Sequence, residues 1–528
     1  MKKKKKKKLI VIKKKNNKKM VFNSLLDVSG EHFCLSDKSS YAKLEESMIL
    51  NVEEEYYQPI TGEGPYGNGS RVTFKFQPKG FVDWSTLRFE AALTITRNTA
   101  NVTGDIMPYW VKTATGGIDQ CIKRIVIRIG STVVVDLDNY NSWTAWLQLN
   151  NVPIECGQSQ QWSLENQIYT QNSITQFYGI PDQSYNVANT QATISPAQLA
   201  GAGGSGSNAL DPAWNVPRLN RTMEHRFGIG FLNVQKYFPA HLVGNFQMDL
   251  YLDNDYRYLQ LFTTNFGAAC TIGASASLSK CRIYYSTITA LPAFEEGIRK
   301  AVETDSLYIP FLQLRNHVYA IPPSTQNFYF KITEKVASLK SIFILPQMPD
   351  DYNVTSPPSG VLTVGENSLQ RFTFGDSQIS PFTIQPIFFQ LQINGLFHPT
   401  YPITTRTEFI VQRMIAAGTY YTRKPGGQDN QKICGFMSSF ATYFGTTVAF
   451  IQRFWPEEQV LNQWIGYDLD RENCPELLTG YNSILTQSDI GTQINFNSTK
   501  AAGTVLNVFT LFNSTLRILN NGSIDVAR

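Results

Sequence analysis

From residue 71 onward the chain alternates apolar and polar positions in short runs. Residues 71–76 put Val72, Phe74 and Phe76 on one side at a period of two. That is the pattern of a strand with one buried face. Residues 87–96 repeat it, and residues 121–129 and 132–137 follow, joined by Gly130 and Ser131 as a hairpin turn. After residue 216, strands are predicted at 226–232, 247–252 and 280–286. A second series covers 327–333, 338–345, 385–393, 447–452 and 504–512. Residues 516–526 read as a closing hairpin around Asn521-Gly522, a strong two-residue turn signal.

Helical patterns are few and sit between strands. Trp143, Trp146 and Leu147 share a helix face within residues 139–149. Residues 41–50 suggest a short helix, and Pro456 with Glu457 and Glu458 starts another. Residues 291–303 form the best linker: Pro292 lies near the start, and Glu295 and Glu296 stand in the first turn, where the helix dipole favours acids. Residues 183–216 are poor in apolar side chains and contain Gly201-Ala-Gly-Gly-Ser-Gly-Ser207, a long exposed loop. Both halves thus run strands, loops, an inserted helix and strands again. Strands without alternating helices argue for β-sandwiches over a parallel α/β sheet.

The length of 528 residues accommodates two domains of about 200 residues each with extensions. Apolar residues make up 42% and charged residues 17%, so large cores are available and the surface is mostly neutral-polar. Aromatics reach 12%, which favours half-buried pleated sheets and large protein contacts. The seven cysteines are scattered without a CxxC pair, and histidines number five; neither spacing suits zinc. Reduced thiols filling core space are expected. No run approaches the roughly 18 apolar residues of a membrane span. Sequons at Asn101, Asn220 and Asn497 are expected to be silent, because no secretory signal accompanies them.

The net charge of +5 has one source. Lys2, Lys3, Lys4, Lys5, Lys6, Lys7, Lys8, Lys13, Lys14, Lys15, Lys18 and Lys19 crowd residues 1–19, which hold no acid. Removing these twelve leaves the remainder at −7. Such an arm is predicted to be disordered, since like charges repel and nothing apolar is buried. Four roles stand open for it: a sequence-blind DNA contact, a nuclear localisation signal, a solubility tail, or an extension upstream of Met20 as the true initiator.

Three C-terminal stretches carry a family likeness. They are Trp464-Ile-Gly-Tyr-Asp-Leu-Asp-Arg471, Leu477-Leu-Thr-Gly-Tyr-Asn482 and Leu516-Arg-Ile-Leu-Asn-Asn-Gly-Ser-Ile-Asp525. With the two β-rich halves and the helical connection, they resemble double-jelly-roll major capsid proteins of double-stranded DNA viruses. The virophage, Polinton-like virus and adintovirus type is nearest in character. The resemblance covers roughly residues 56–528. It implies an all-β fold of two tandem jelly-roll β-sandwiches with short inserted helices and long loops. The expected organisation is a lysine arm at 1–19, an N-terminal arm at 20–55, a first jelly roll at 56–290, a helical linker at 291–306 and a second jelly roll at 307–528. It further implies homotrimers that form pseudo-hexagonal capsomers, penton and minor capsid partners, an icosahedral shell around DNA, and a virion location after assembly in host cytoplasm or nucleus. The poly-lysine head departs from the family pattern.

Enzymatic constellations are sparse. No GxSxG elbow, HExxH zinc site or phosphate-cradling GxxxxGK[ST] is present. Asp350-Asp351 and Asp468/Asp470 are carboxylate pairs in turn-forming sequence, where acids commonly shape loops. Arg471 is expected to pair with a neighbouring aspartate. His225, His241, His317 and His398 are expected in cores or interfaces, and Trp455, Trp464, Tyr467 and Tyr481 in packing. The expectation is a structural protein, not an enzyme, with no cofactor and no metal. The alternative is a tandem β-sandwich that binds or hydrolyses carbohydrate, which would need a secretion signal and a carboxylate pair in a cleft.

Overall fold

In the computed structural model of this chain, the described residues are 49–97, 109–113, 117–151, 218–227, 229–234, 237–263, 274–347, 386–404, 408, 411–412, 415–416, 464–470, 480–485, 489–497, 499 and 503–527. The first half contains β1 (Ile49–Tyr57), β2 (Arg71–Phe76), β3 (Phe81–Arg97), β4 (Tyr109–Thr113), β5 (Ile122–Ile129), β6 (Thr132–Leu137), α1 (Tyr140–Asn151), β7 (Arg218–Arg226), β8 (Phe238–Pro239), β9 (Phe246–Leu252), β10 (Leu259–Thr263) and β11 (Ala274–Ala290). Helix α2 (Pro292–Thr304) follows. The second half contains β12 (Leu307–Ile321), β13 (Asn327–Ile332), β14 (Leu339–Gln347), β15 (Pro386–Ile393), β16 (Leu396–Ile403), β17 (Ile465–Asp468), β18 (Ile490–Phe496), β19 (Thr504–Ile518) and β20 (Ile524–Ala527).

Each half pairs its strands in the same order. The first makes sheets β1-β11-β3-β7 and β2-β9-β5-β6; the second makes β12-β19-β14-β17 and β13-β18-β15-β16. Numbered within each half as eight strands, with β4, β8, β10 and β20 set aside as additions, both read 1-8-3-6 over 2-7-4-5. This is the eight-stranded double Greek key of a jelly roll, made twice. All pairings are antiparallel. β4 and β10 form a separate two-stranded ribbon, and β20 extends the second half beside β19.

The alternation read from sequence decides which side chains enter each core. Along β2, Val72, Phe74 and Phe76 are buried and Arg71 and Lys75 are exposed. Phe74 meets Phe89 of β3 edge-on, and Phe76 meets Tyr285 of β11, so the two sheets interdigitate through aromatic rings. Trp84, Phe238 and Phe246 complete that layer. The second sandwich closes over Ile342, Ile344, Phe389, Tyr467, Ile494 and Phe512. Its β14 departs from alternation: every residue from Leu339 to Gln347 is buried. A strand buried on both faces lies between two layers.

Several local expectations meet the structure. Gly130, at φ +59, and Ser131 make the two-residue link between paired Ile129 and Thr132. Pro292 starts α2, and Ile298 and Val302, one turn apart, are its buried face. Ile298 packs with Phe81, Ile288 and Ala290 on the outer side of the first sheet.

Four expectations need correction. β1 pairs along β11 from Ile49, so residues 49–55 are part of the first sandwich and not of an arm. For the same reason Ile49 and Leu50 are strand, not the end of a 41–50 helix; residues 41–48 lie outside the described residues. Residues 226–232 are not one strand: β7 ends at Arg226 and a 3-10 turn occupies Gly230–Asn233, with Gly230 at φ +56. The apolar run Phe227, Ile229, Phe231 and Leu232 is buried by the turn itself, which imitates a strand pattern. The closing hairpin exists, but its link is longer than two residues. The Gly522 amide donates to the Leu519 carbonyl, with Gly522 at φ +74, and Leu519 donates to Ser523. That is a three-residue loop with glycine in the left-handed position. The 183–216 loop, the 447–452 strand and most of the helix at 456–464 fall outside the described residues.

Candidate functional site

The most elaborated region is the seam between the two sandwiches. The core of the first runs without a break into one face of the second, through Phe311, Phe343, Trp464, Phe509, Leu516 and Ile518. The first sandwich supplies α1. Trp143 and Trp146, three residues apart on its face, stack at 4.7 Å. Trp146 meets Phe343 at 4.7 Å and Trp464 at 5.1 Å, and Trp143 meets Phe509 at 5.2 Å. This explains why β14 is buried on both faces: Phe343 and Leu345 turn to the seam, Ile342 and Ile344 to their own core.

Polar contacts set the register of the seam. Asn139, at φ +50, takes a left-handed conformation that asparagine tolerates and donates to the Asn507 side chain at 3.0 Å. The Asn507 amide donates onward to Gln347 at 2.8 Å. Thr132 donates to the Ile524 carbonyl at 2.9 Å, and Asn316 to the Asp138 carbonyl at 3.3 Å. Buried amides matched in this way penalise any sliding of one sandwich over the other, because a shift leaves them unsatisfied.

Beneath α1 lies a buried polar cluster. Asp253 accepts from Arg257 at 2.7 Å and from Asn141 at 2.6 Å, and its own amide donates to the Cys121 carbonyl. Asp119 is fully buried beside them, with the Gln120 amide at 3.4 Å. Burial pushes its carboxyl up to about 7, against the smaller opposing effects of Thr144 and Gln120. The cluster ties the Gly117–Cys121 turn, α1 and the segment after β9 together, and so fixes the helix that carries the seam tryptophans.

Further charged clusters lie elsewhere, centred on Asp249, Glu334 and Asp470. On the outer face of the first sandwich, Asp249 accepts from Arg71 at 2.7 Å, Arg128 at 2.5 Å and Thr73 at 2.8 Å. Burial opposes its ionisation, but the hydrogen bonds from Arg71, Thr73 and Gln247 outweigh burial and hold the carboxyl below its ordinary range. Asp249→Ala is expected to cost about 1–3 kcal/mol, because both arginines are partly solvated and keep some hydration when the acid is lost. Urea unfolding followed by tryptophan fluorescence checks it; an unchanged midpoint contradicts it. Glu334 holds Arg315 at 2.7 Å and His317 at 3.1 Å; burial opposes its charge, yet the hydrogen bonds from His317 and Arg315 keep the carboxyl low. Lys340 pairs with Asp470 at 2.8 Å.

The residues singled out from sequence are scattered. The twelve lysines of residues 2–19, Asp350, Asp351, Trp455, Glu457, Glu458 and Arg471 lie outside the described residues. Asp468 and Asp470 are neighbours in a turn, where the Asp470 amide donates to Asp468. The cation found on Asp470 is Lys340, from β14. Burial raises the Asp468 carboxyl above its ordinary value. Trp464 belongs to the seam, and Tyr467 to the second core. His317 is paired with Glu334, the His241 ring donates to the Gly80 carbonyl, and His398 is exposed on β16. Cys121 and Cys281 are buried; burial, with Glu63 adding, pushes the Cys281 thiol up to about 12. Among the described residues, no three His, Cys, Asp or Glu side chains gather as a metal site, and no helix is long and apolar enough to cross a membrane.

Sequence reasoning saw α1 but not its partner surface. It missed Asp119, Asp253 and Asp249 altogether. Asp249 interrupts the apolar run Met248-Asp-Leu-Tyr-Leu at an outward position, which was the available signal.

No family model matches the sequence, and no curated protein matches it. Solved structures do. The Faustovirus major capsid protein is similar at a TM-score of 0.51 and 8% identity, over 91% of this chain and 92% of that one. The Sputnik virophage cryo-EM structure aligns at 0.49 with 12% identity, over 93% and 91%. The mavirus major capsid protein aligns at 0.48 with 9% identity, over 93% of each chain. With its jelly-roll strand order made twice and its likeness to the Faustovirus protein running over most of both chains, this chain has the double-jelly-roll fold.

Proposed function

We propose that this chain is the major capsid protein of a double-stranded DNA virus, a structural subunit and not an enzyme. The observation that carries the reading is the repeated strand order joined by an aromatic seam. Such a subunit offers two jelly rolls held side by side, and three subunits offer six, a pseudo-hexagonal capsomer that tiles an icosahedral shell. The fold shared with the Faustovirus major capsid protein supports this. On this reading the partners are further copies of the chain, penton and minor capsid proteins, and packaged DNA. Its place is the virion, after assembly in host cytoplasm or nucleus.

The test is the mass of the purified chain by light scattering, with negative-stain images of the same peak. A trimer of a 59.5 kDa chain with a hexagonal outline is expected. A stable monomer overturns the reading.

The lysine arm is assigned to the inner, DNA-facing side. Twelve lysines release many counterions on binding, so affinity for duplex DNA should fall steeply with salt, with a log–log slope on the order of −10. Deleting residues 1–19 is expected to abolish most of that slope and to weaken binding uniformly across DNA sequences. Equal binding by the intact and deleted chains, measured by fluorescence anisotropy across a salt series, removes the DNA role from the arm.

A further inference from the structure

Lys340 and Asp470 meet in the second sandwich away from water. The Lys340 Nζ stands 2.8 Å from Asp470 Oδ2, and the two side chains are only 7% and 9% exposed. Three backbone features bring them together. Leu339 pairs with Phe512 of β19 and Ser341 with Leu511, so Lys340 is the extra residue of a β-bulge in β14. A bulge re-aims the side chain it inserts. On the other edge of β14, β17 pairs as far as Asp468 opposite Ser341, and the Leu469 amide then donates to the Lys340 carbonyl at 2.7 Å. The Asp470 amide donates to the Asp468 side chain at 3.0 Å, which folds the segment after β17 into a turn. Two carboxyls and one amine are thus placed side by side.

A buried ion pair of this kind has a second protonation state. Keeping two charges out of water is costly. Passing one proton from the ammonium to the carboxylate leaves a neutral amine against a neutral acid, the forms that burial favours. A desolvated, uncharged lysine is a nucleophile. The Asp470 carboxyl carbon lies one bond beyond the oxygen that Lys340 touches, and reacting atoms about 3–3.5 Å apart are in near-attack position. Asp468 supplies the third group. Burial raises its carboxyl above the ordinary value and the Asp470 amide opposes this; the Asp470 charge raises it further and the Lys340 charge lowers it. A carboxyl that holds its proton more tightly, beside such a pair, is suited to carry a proton between them.

We propose that Lys340 and Asp470 join through an amide bond that the folded chain forms by itself, with Asp468 as proton carrier. The Lys340 nitrogen attacks the Asp470 carboxyl carbon, and an N–C bond forms. One proton leaves the nitrogen through Asp468 and reaches the carboxyl hydroxyl. The C–O bond breaks, one water departs and the carbonyl re-forms. Nothing is oxidised or reduced, and no co-reactant enters. The bond joins residues 130 positions apart. Closing a long loop restrains the unfolded chain. It also fastens β17, a four-residue strand whose partner among the described strands is β14, and with it the adjacent Trp464 of the seam. The reaction needs one folded chain alone, so it holds whether or not the chain builds a capsomer.

The test is the mass of the purified full chain under denaturing conditions, followed by tryptic peptide analysis. The wild type is expected to be lighter than its sequence by one water. Trypsin should fail to cut at Lys340 and release one branched species, residues 336–371 joined to residues 454–471. Lys340→Arg keeps the charge but offers no amine, so it should have its full sequence mass, separate linear peptides and a lower urea midpoint. Asp468→Asn still accepts from the Asp470 amide, so its circular dichroism should match the wild type while linking slows by about 10²–10⁴-fold. Asp468→Glu, which restores the carboxyl, should link again. Wild-type linking in Asp468→Asn removes the proton-carrying role from Asp468. A wild-type chain of full sequence mass, cut at Lys340 and without the branched species, overturns the inference and leaves a buried ion pair. That decisive measurement is made on the wild type and does not depend on any variant folding.

Discussion

Trp146→Ala is expected to destabilise the chain by about 3–5 kcal/mol, the range for removing a fully buried aromatic side chain from a packed core. Trp146 is 1% exposed and is enclosed by Trp143, Phe343 and Trp464. Its loss empties the centre of the seam, and no neighbour can collapse inward without leaving its own sandwich. The polar contacts at Asn139 and Thr132 then hold the two sandwiches without their apolar support. The expected result is an unfolding curve that splits into two transitions, one per sandwich, with the earlier at much lower urea. On the capsid reading proposed above, capsomer yield should fall with it. A single transition at the wild-type midpoint would mean that Trp146 does not couple the sandwiches.

Asp119→Asn is expected to change how stability depends on pH. Burial raises the folded-state carboxyl from 3.8 to about 7, so the folded chain binds this proton more tightly than the unfolded chain. The stability it contributes is fully present below about pH 4 and is lost as pH rises through 7. At about 1.4 kcal/mol per unit, the loss amounts to roughly 4 kcal/mol by pH 8. Asparagine stays neutral and of similar shape. The variant should therefore match the wild type near pH 4 and exceed it by up to about 4 kcal/mol at pH 8. Tyr140, Asp253 and Arg257 lie in the same region and are common to both proteins, so the difference between the two curves isolates Asp119. Urea midpoints from pH 4 to 8 measure it; parallel curves would show that Asp119 is not neutral in the folded chain at pH 4–7. The consequence for function is direct, because α1 carries the seam on top of this cluster.

Period-two alternation made most strands legible, because a sheet with one wet face forces polar and apolar side chains to opposite sides. Val72, Phe74 and Phe76 were assigned to a core by that argument and are in one. The alternation failed where its premise fails. Phe227, Ile229, Phe231 and Leu232 alternate enough to imitate a strand, yet they follow the end of β7 and lead into a turn. The wholly buried β14 carries apolar side chains on both sides, Ile342 and Ile344 on one and Phe343 and Leu345 on the other, a pattern that states burial but not what lies above and below.

What the sequence by itself determined is the class: an all-β chain in two halves, a connecting helix headed by Pro292, a Gly130 hairpin, and a basic arm on an acidic body. Each of these is a local property, set by the side-chain period, a required backbone angle or a count of charges. Only the tertiary structure decided which strands are neighbours, and with them everything that acts across the chain. Asp249 meets Thr73, 176 positions away, and Asn139 meets Asn507, 368 positions away. Pairing order between distant strands leaves no periodic trace, since many orders bury the same alternating faces. The repeated order of the two sandwiches and the seam of Trp143 and Trp146 follow from it.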